Sequence, residues 1–139
     1  MQNKMWLIPL AIVAGGLVLV LWPQRLTFYR IRMALERDGM NVANVEQIRQ
    51  PAHGAIEEYR MTVGGSLVQV FEFRDRQKLE ECHNLYRDPV KARQTLNSLG
   101  ISPTAAGPTL VRRNGWFVLT ITSHNEVLRN RVIYLFSKL

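Results

Sequence analysis

Three histidines, a single cysteine and a few carboxylates are the side chains in this chain that could do chemistry, and their spacing decides how much. Cys82 and His83 adjoin, while His53 and His124 stand far away in sequence. A zinc site needs three or four ligands converging from recurring spacings, and an adjacent Cys-His pair matches none of them. Immediate neighbours on a helix also point about 100° apart. Cys82 is therefore expected to be a small buried hydrophobe. Glu57 and Glu58 are consecutive carboxylates, but strand neighbours face opposite sides, so they read as exposed edge charge and not as a catalytic pair. Glu72 is a candidate buried polar group, because it shares a strand face with Val68 and Val70. A buried carboxylate there needs a cation or several donors, and the simplest expectation is a strand-end position paired with Arg60 or Arg112. Gln69 poses the neutral form of the same question on the face of Leu67 and Phe71, with a hydrogen bond to a loop as the expected answer. The chain has no G-x-S-x-G elbow and no glycine-rich phosphate loop, so no catalytic residue, metal or cofactor is expected.

The elements that must position these residues can be read from periodicity and turn signals. Residues 24–38 carry Phe28, Ile31 and Leu35 at helical spacing, with Arg37 in the last turn and Gly39 as the stop. Leu26, Tyr29 and Met33 form a second apolar stripe on the same predicted helix, a candidate interaction surface toward a membrane or a partner. Residues 42–48 read as a strand. Residues 57–63 and 66–73 follow as a hairpin across Gly64-Gly65, a two-residue turn that permits positive φ. In the first arm Tyr59, Met61 and Val63 alternate with Glu58, Arg60 and Thr62, predicting one buried and one wet face. The second arm is apolar on both faces and predicts a covered central strand.

Asp75 caps a predicted helix running to Arg87, and Asp88-Pro89 opens another that ends at Gly100. After a loop over residues 101–108, residues 109–113 and 116–122 predict a second hairpin across Asn114-Gly115. Ser123-His124-Asn125-Glu126 reads as a capping box for a last helix with Leu128, Val132, Leu135 and Leu139 on one stripe. The fold class is α+β: an antiparallel sheet of about five strands covered by helices.

Ahead of this domain, residues 5–22 contain no charged side chain. At ~1.5 Å per residue a helix over them is about 27 Å long, close to the hydrocarbon thickness of a bilayer. They are expected to be an uncleaved single-pass anchor in contact with the lipid bilayer, since no small-residue cleavage site lies at the polar boundary. Residues 23–139 are then one soluble domain. Orientation is balanced: Lys4 lies on one side of the run and Arg25, Arg30, Arg32 and Arg37 on the other, yet long domains cross largely regardless of charge.

The chain is basic, with 18 Lys and Arg against 11 Asp and Glu and a net charge of +7. Such an excess favours anionic surfaces, although the arginines are scattered and form no run. A lone cysteine excludes an internal disulfide framework.

One combination of segments resembles a family of small extracytoplasmic bacterial proteins, often lipoproteins, with an amino-terminal membrane signal and no assigned function. The matching stretches are Ala34-Leu35 with Gly39 and Val42, Gln50-Pro51, Val68-Gln69-Val70-Phe71-Glu72-Phe73-Arg74-Asp75, and Asn114-Gly115-Trp116-Phe117-Val118-Leu119. Only the V-Q-V-F-E-F strand is at all specific. The chain lacks the lipobox cysteine, and residues 87–108 depart from the family pattern. The resemblance implies a carboxy-terminal domain outside the cytoplasm and brings no catalytic residues. The expected function is a membrane-tethered, extracytoplasmic binding or scaffold domain engaging a protein of the envelope or of a membrane complex. The alternative is a cytoplasm-facing basic domain that binds anionic lipid or nucleic acid, of which nucleic acid is the less expected partner.

Overall fold

The computed structural model describes residues 25–102 and 106–139. The run at residues 5–22 lies outside them, so the membrane anchor is a reading of the sequence. Among the described residues no helix is long and apolar enough to cross a membrane. In chain order the elements are α1 (Phe28–Arg37), β1 (Val42–Gln47), β2 (Glu57–Val63), β3 (Ser66–Glu72), α2 (Arg76–Arg87), α3 (Pro89–Ser98), β4 (Thr109–Asn114), β5 (Phe117–Thr122) and α4 (Glu126–Ser137). The five strands form one antiparallel sheet in the order β1-β2-β3-β5-β4, which gives the α+β class.

The two β-hairpins arise as the turn residues dictate, with one shift. Gly64 and Gly65 both have positive φ and join Val63 to Ser66. In the second hairpin Asn114 pairs with Phe117, so the turn is Gly115-Trp116 and not Asn114-Gly115. Gly115 alone takes positive φ there, matching the turn type that wants glycine first. Asn114 is held in the strand because its amide donates to the Phe136 carbonyl of α4.

Helix starts follow side-chain caps. Asp75 and Asp88 accept backbone N–H groups at the starts of α2 and α3, as the sequence implies. The first helix is shorter than residues 24–38: the Thr27 hydroxyl accepts from Arg30 N–H, so the helix begins at Phe28 and residues 25–27 approach it unwound. The last helix is capped by Asn125, whose side chain accepts from Leu128 N–H. Ser123 accepts from Asn125 N–H one step earlier, so Glu126 opens the helix and the expected capping box does not form.

Helices cover both faces of the sheet. On one face α1 and α4 enclose Ile31, Leu35, Met61, Val63, Val68, Val70, Leu119, Ile121, Val132 and Phe136. On the other, α2 and α3 enclose Phe71, Phe73, Leu79, Cys82, Tyr86, Ala92, Leu96 and Val118. A two-point ion pair from Arg131 to Asp38, at 3.0 and 2.5 Å, ties the end of α1 to α4. β3 is central and covered on both sides, as its apolar composition implies. The predicted wet face of β2 is corrected: Glu58 is 0 % exposed, because it lies on the α2/α3 side of the sheet opposite Phe71 and the loop before β2 folds back onto it through Ala52 N–H.

Candidate functional site

The segment leading into α1 and the ends of β2 and β3 form a groove of about 400 Å³. Leu26, Tyr29 and Glu72, three of the residues singled out from sequence, line it together with Glu57 and Tyr59. The Gly64-Gly65 turn brings them together, since closing the hairpin at Val63 and Ser66 sets Glu57 directly opposite Glu72. Two residues along β2, the Tyr59 ring stacks on Phe28 with centroids 3.9 Å apart and planes 2° from parallel, and its hydroxyl donates to Glu57 at 2.8 Å. Burial and that carboxylate push the Tyr59 phenol up to about 12, so it stays a donor.

Of the predicted stripe, Tyr29 alone projects freely, 68 % exposed. Leu26 packs against the α1/α4 core, and Met33 is half-buried and does not line the groove. Glu72 is a half-buried residue at the end of β3. It has neither expected cation: Arg60 lies on the opposite face, and Arg112 is on β4, two strands away. Its surroundings are Glu57, Arg25 and Arg74; loss of water and the Glu57 charge together raise its carboxyl above the usual range. Glu72 in the folded state thus holds its proton more tightly than in the unfolded chain, so its ionisation costs stability as pH rises through the carboxylate range. Glu72→Gln is expected to raise the melting temperature at pH 7 and to leave it unchanged near pH 4, as read by thermal melts at the two pH values. A rise of equal size at both would remove the charge explanation.

A second polar cluster lies on the other side of the sheet, where sequence reasoning placed only Gln69. Gln69 is fully buried, and its Oε1 accepts from Thr120 at 3.0 Å, so its partner is a strand neighbour and not a loop. Its Nε2 makes no hydrogen bond of acceptable geometry, although the Tyr86 phenol is close by. Glu58 accepts from Ala52 N–H at 2.9 Å and from Arg60 Nε at 2.8 Å. His53, held at φ 60, meets the Tyr86 hydroxyl at 2.9 Å. Burial keeps His53 below the usual imidazole range and pushes the Cys82 thiol up to about 12. A protonated thiol that is 1 % exposed is a poor nucleophile. Among the described residues no group of three or more His, Cys, Asp or Glu could hold a metal ion. This cluster pins the loop before β2 onto α2 and presents no activated group to solvent.

Glu57, Tyr59 and Glu58 were missed as candidates. The first two were within reach of the sequence, because the glycine turn fixes the β2–β3 register and with it the Glu57–Glu72 pair. The burial of Glu58 depends on the loop before β2 folding back onto this face of the sheet, where Ala52 N–H donates to it, and that carries no local signal.

In comparisons with known proteins, no family model matches the chain, and neither do any curated protein or solved structure.

Proposed function

We propose that this chain is a membrane-tethered binding domain without catalytic activity, and that the groove beside α1 receives a protein partner of the same membrane or envelope. The observation that carries the reading is the position of the groove. Its wall begins at Arg25, three residues after Trp22, and three residues of chain span at most about 11 Å. If residues 5–22 cross a bilayer, Tyr29 therefore stands near headgroup depth, where amphipathic aromatic rings are favoured. The carboxylates of Glu57 and Glu72 outnumber Arg25 in the groove, which disfavours an anionic lipid headgroup as its occupant. The family resemblance, which implies an extracytoplasmic placement, supports the same reading.

A photo-cross-linking residue in place of Tyr29, compared with one in place of Val127 on the far helix, tests it in intact cells. Val127 is 81 % exposed and does not line this groove, so it reports random encounter. The expected result is a discrete protein adduct from position 29 alone, weakened by the additional change Glu57→Lys. Equal adducts at both positions, or none at 29, would overturn the groove as the interface. Protease added to spheroplasts carrying a carboxy-terminal tag tests the location, with loss of the tag expected.

A further inference from the structure

We propose that the free edge of β4, with the groove it shares with α3, is a docking site for an extended acidic segment of another protein, which adds to the sheet as a further strand. This surface is separate from the groove beside α1 and stands or falls independently of it.

The sheet has two edge strands, and they differ. β1 is broken by an irregularity between Ala43 and Glu46, where Asn44 takes φ 52 and turns its amide onto Thr62. Such a bulge spoils the ladder that a new strand needs. β4 runs in unbroken register with β5 from Thr109 to Asn114, and among the described residues no strand pairs with its outer side. A two-residue hairpin closes on a pair that exchanges both backbone bonds, here Asn114 and Phe117. Alternation then directs Leu110, Arg112 and Asn114 toward β5, and turns the N–H and C=O groups of Thr109, Val111 and Arg113 outward.

At the start of this row, beside Thr109 and Leu110, lies a groove of about 510 Å³. Ala92 and Leu96 of α3 line it from the α2/α3 side of the sheet, and so does Leu110, which packs with the α1/α4 core. The groove thus reaches the edge strand at its first two residues. An open backbone row beside an apolar channel is the arrangement by which sheet edges capture peptides: main-chain bonds give affinity and alternate side chains enter the channel.

Charge selects the occupant. Arg93 is the one charged residue lining the groove; it is exposed, as is Arg112 on the strand, whereas Arg113 is paired with Glu80 of α2. Asp88 at the start of α3 spends its carboxylate on Val90 and Lys91 N–H groups. A second copy pairing β4 with β4 would bring Arg112 of both copies into one ladder, which like-charge repulsion disfavours. Residues 1–24 of the chain itself hold Lys4 and no Asp or Glu. A foreign segment alternating apolar and acidic residues satisfies the backbone, the channel and the charges together.

The test uses the full chain in detergent micelles and fluorescein-labelled peptides that alternate valine with glutamate, or valine with lysine, read by fluorescence anisotropy. The glutamate peptide is expected to bind and the lysine peptide not to. Val111→Pro removes one outward N–H while leaving the bonds to β5 in place, and is expected to abolish binding. Arg93→Glu, on the exposed side of α3, is expected to weaken it by about fivefold and to flatten its salt dependence. Thermal melts confirm that both variants are folded. Equal binding of the two peptides, or undiminished binding by Val111→Pro, would overturn the proposal. So would a dimer seen by sedimentation that Val111→Pro dissociates, since the edge would then belong to a second copy.

Discussion

Glu58→Ala is expected to destabilise the protein by about 3 kcal/mol, the size found when one partner of a buried ion pair is removed. Glu58 is 0 % exposed and answers two donors, the Ala52 N–H and Arg60 Nε. Truncation leaves the amide without an acceptor and the guanidinium half-desolvated, so the penalty is that of orphaned polar groups and not of a lost contact. Arg60 retains 24 % side-chain exposure and can recover some water, which keeps the loss at the lower end for buried pairs. Glu58→Gln keeps an oxygen for Ala52 and should cost less. Urea denaturation measures both, and hydrogen exchange at Ala52 should become fast in the alanine variant alone. If Glu58→Ala costs less than Glu58→Gln, the carboxylate does not organise the loop.

Phe71→Ala should cost about as much or more, roughly 3–5 kcal/mol, a large share of the ~5–15 kcal/mol typical of a domain. Phe71 is fully buried at the middle of the α2/α3 layer. Its ring meets His53 edge-on at 5.3 Å, Tyr86 at 5.9 Å and Phe73 at 6.5 Å. Deletion opens a cavity bounded by three rings and by strands that cannot close on it, because β3 is clamped between β2 and β5. Phe71→Leu, which refills most of the space, is expected to lose only about 1 kcal/mol. Thermal melts of the two variants separate the cavity from the loss of aromatic contact. A small loss for alanine would mean that the layer collapses around the gap.

The two grooves were legible in the sequence to different depths. Glu57 opposite Glu72 follows from counting outward from Gly64-Gly65, because a two-residue turn leaves no freedom in register. The exposure of Tyr29 beside a packed Leu26 does not follow, since a stripe facing a partner and one facing its own core share the same period. Thr27 decided that difference by starting the helix only at Phe28 and leaving Leu26 in the unwound approach, where it packs against the core. The β4 groove carries no local signal: Leu96 and Leu110 meet at it only because α3 packs beside an edge strand.

What the sequence determined by itself is whatever rests on nearest-neighbour physics. Asp75 and Asp88 start helices because a carboxylate can reach the N–H groups two and three residues on, and paired glycines turn a hairpin because they bear no Cβ. An apolar strand such as β3 goes to the centre because both of its faces avoid water. Tertiary structure decided which strand faces a second helical layer covers and which edge is left open. Alternation in β2 states that one face differs from the other, but whether the polar face meets water or other parts of the chain depends on how the loop before β2 and the helical layer come together. For that reason the burial of Glu58, the hydrogen bonding of Gln69 and the free edge of β4 are properties of the assembled layers and not of any segment.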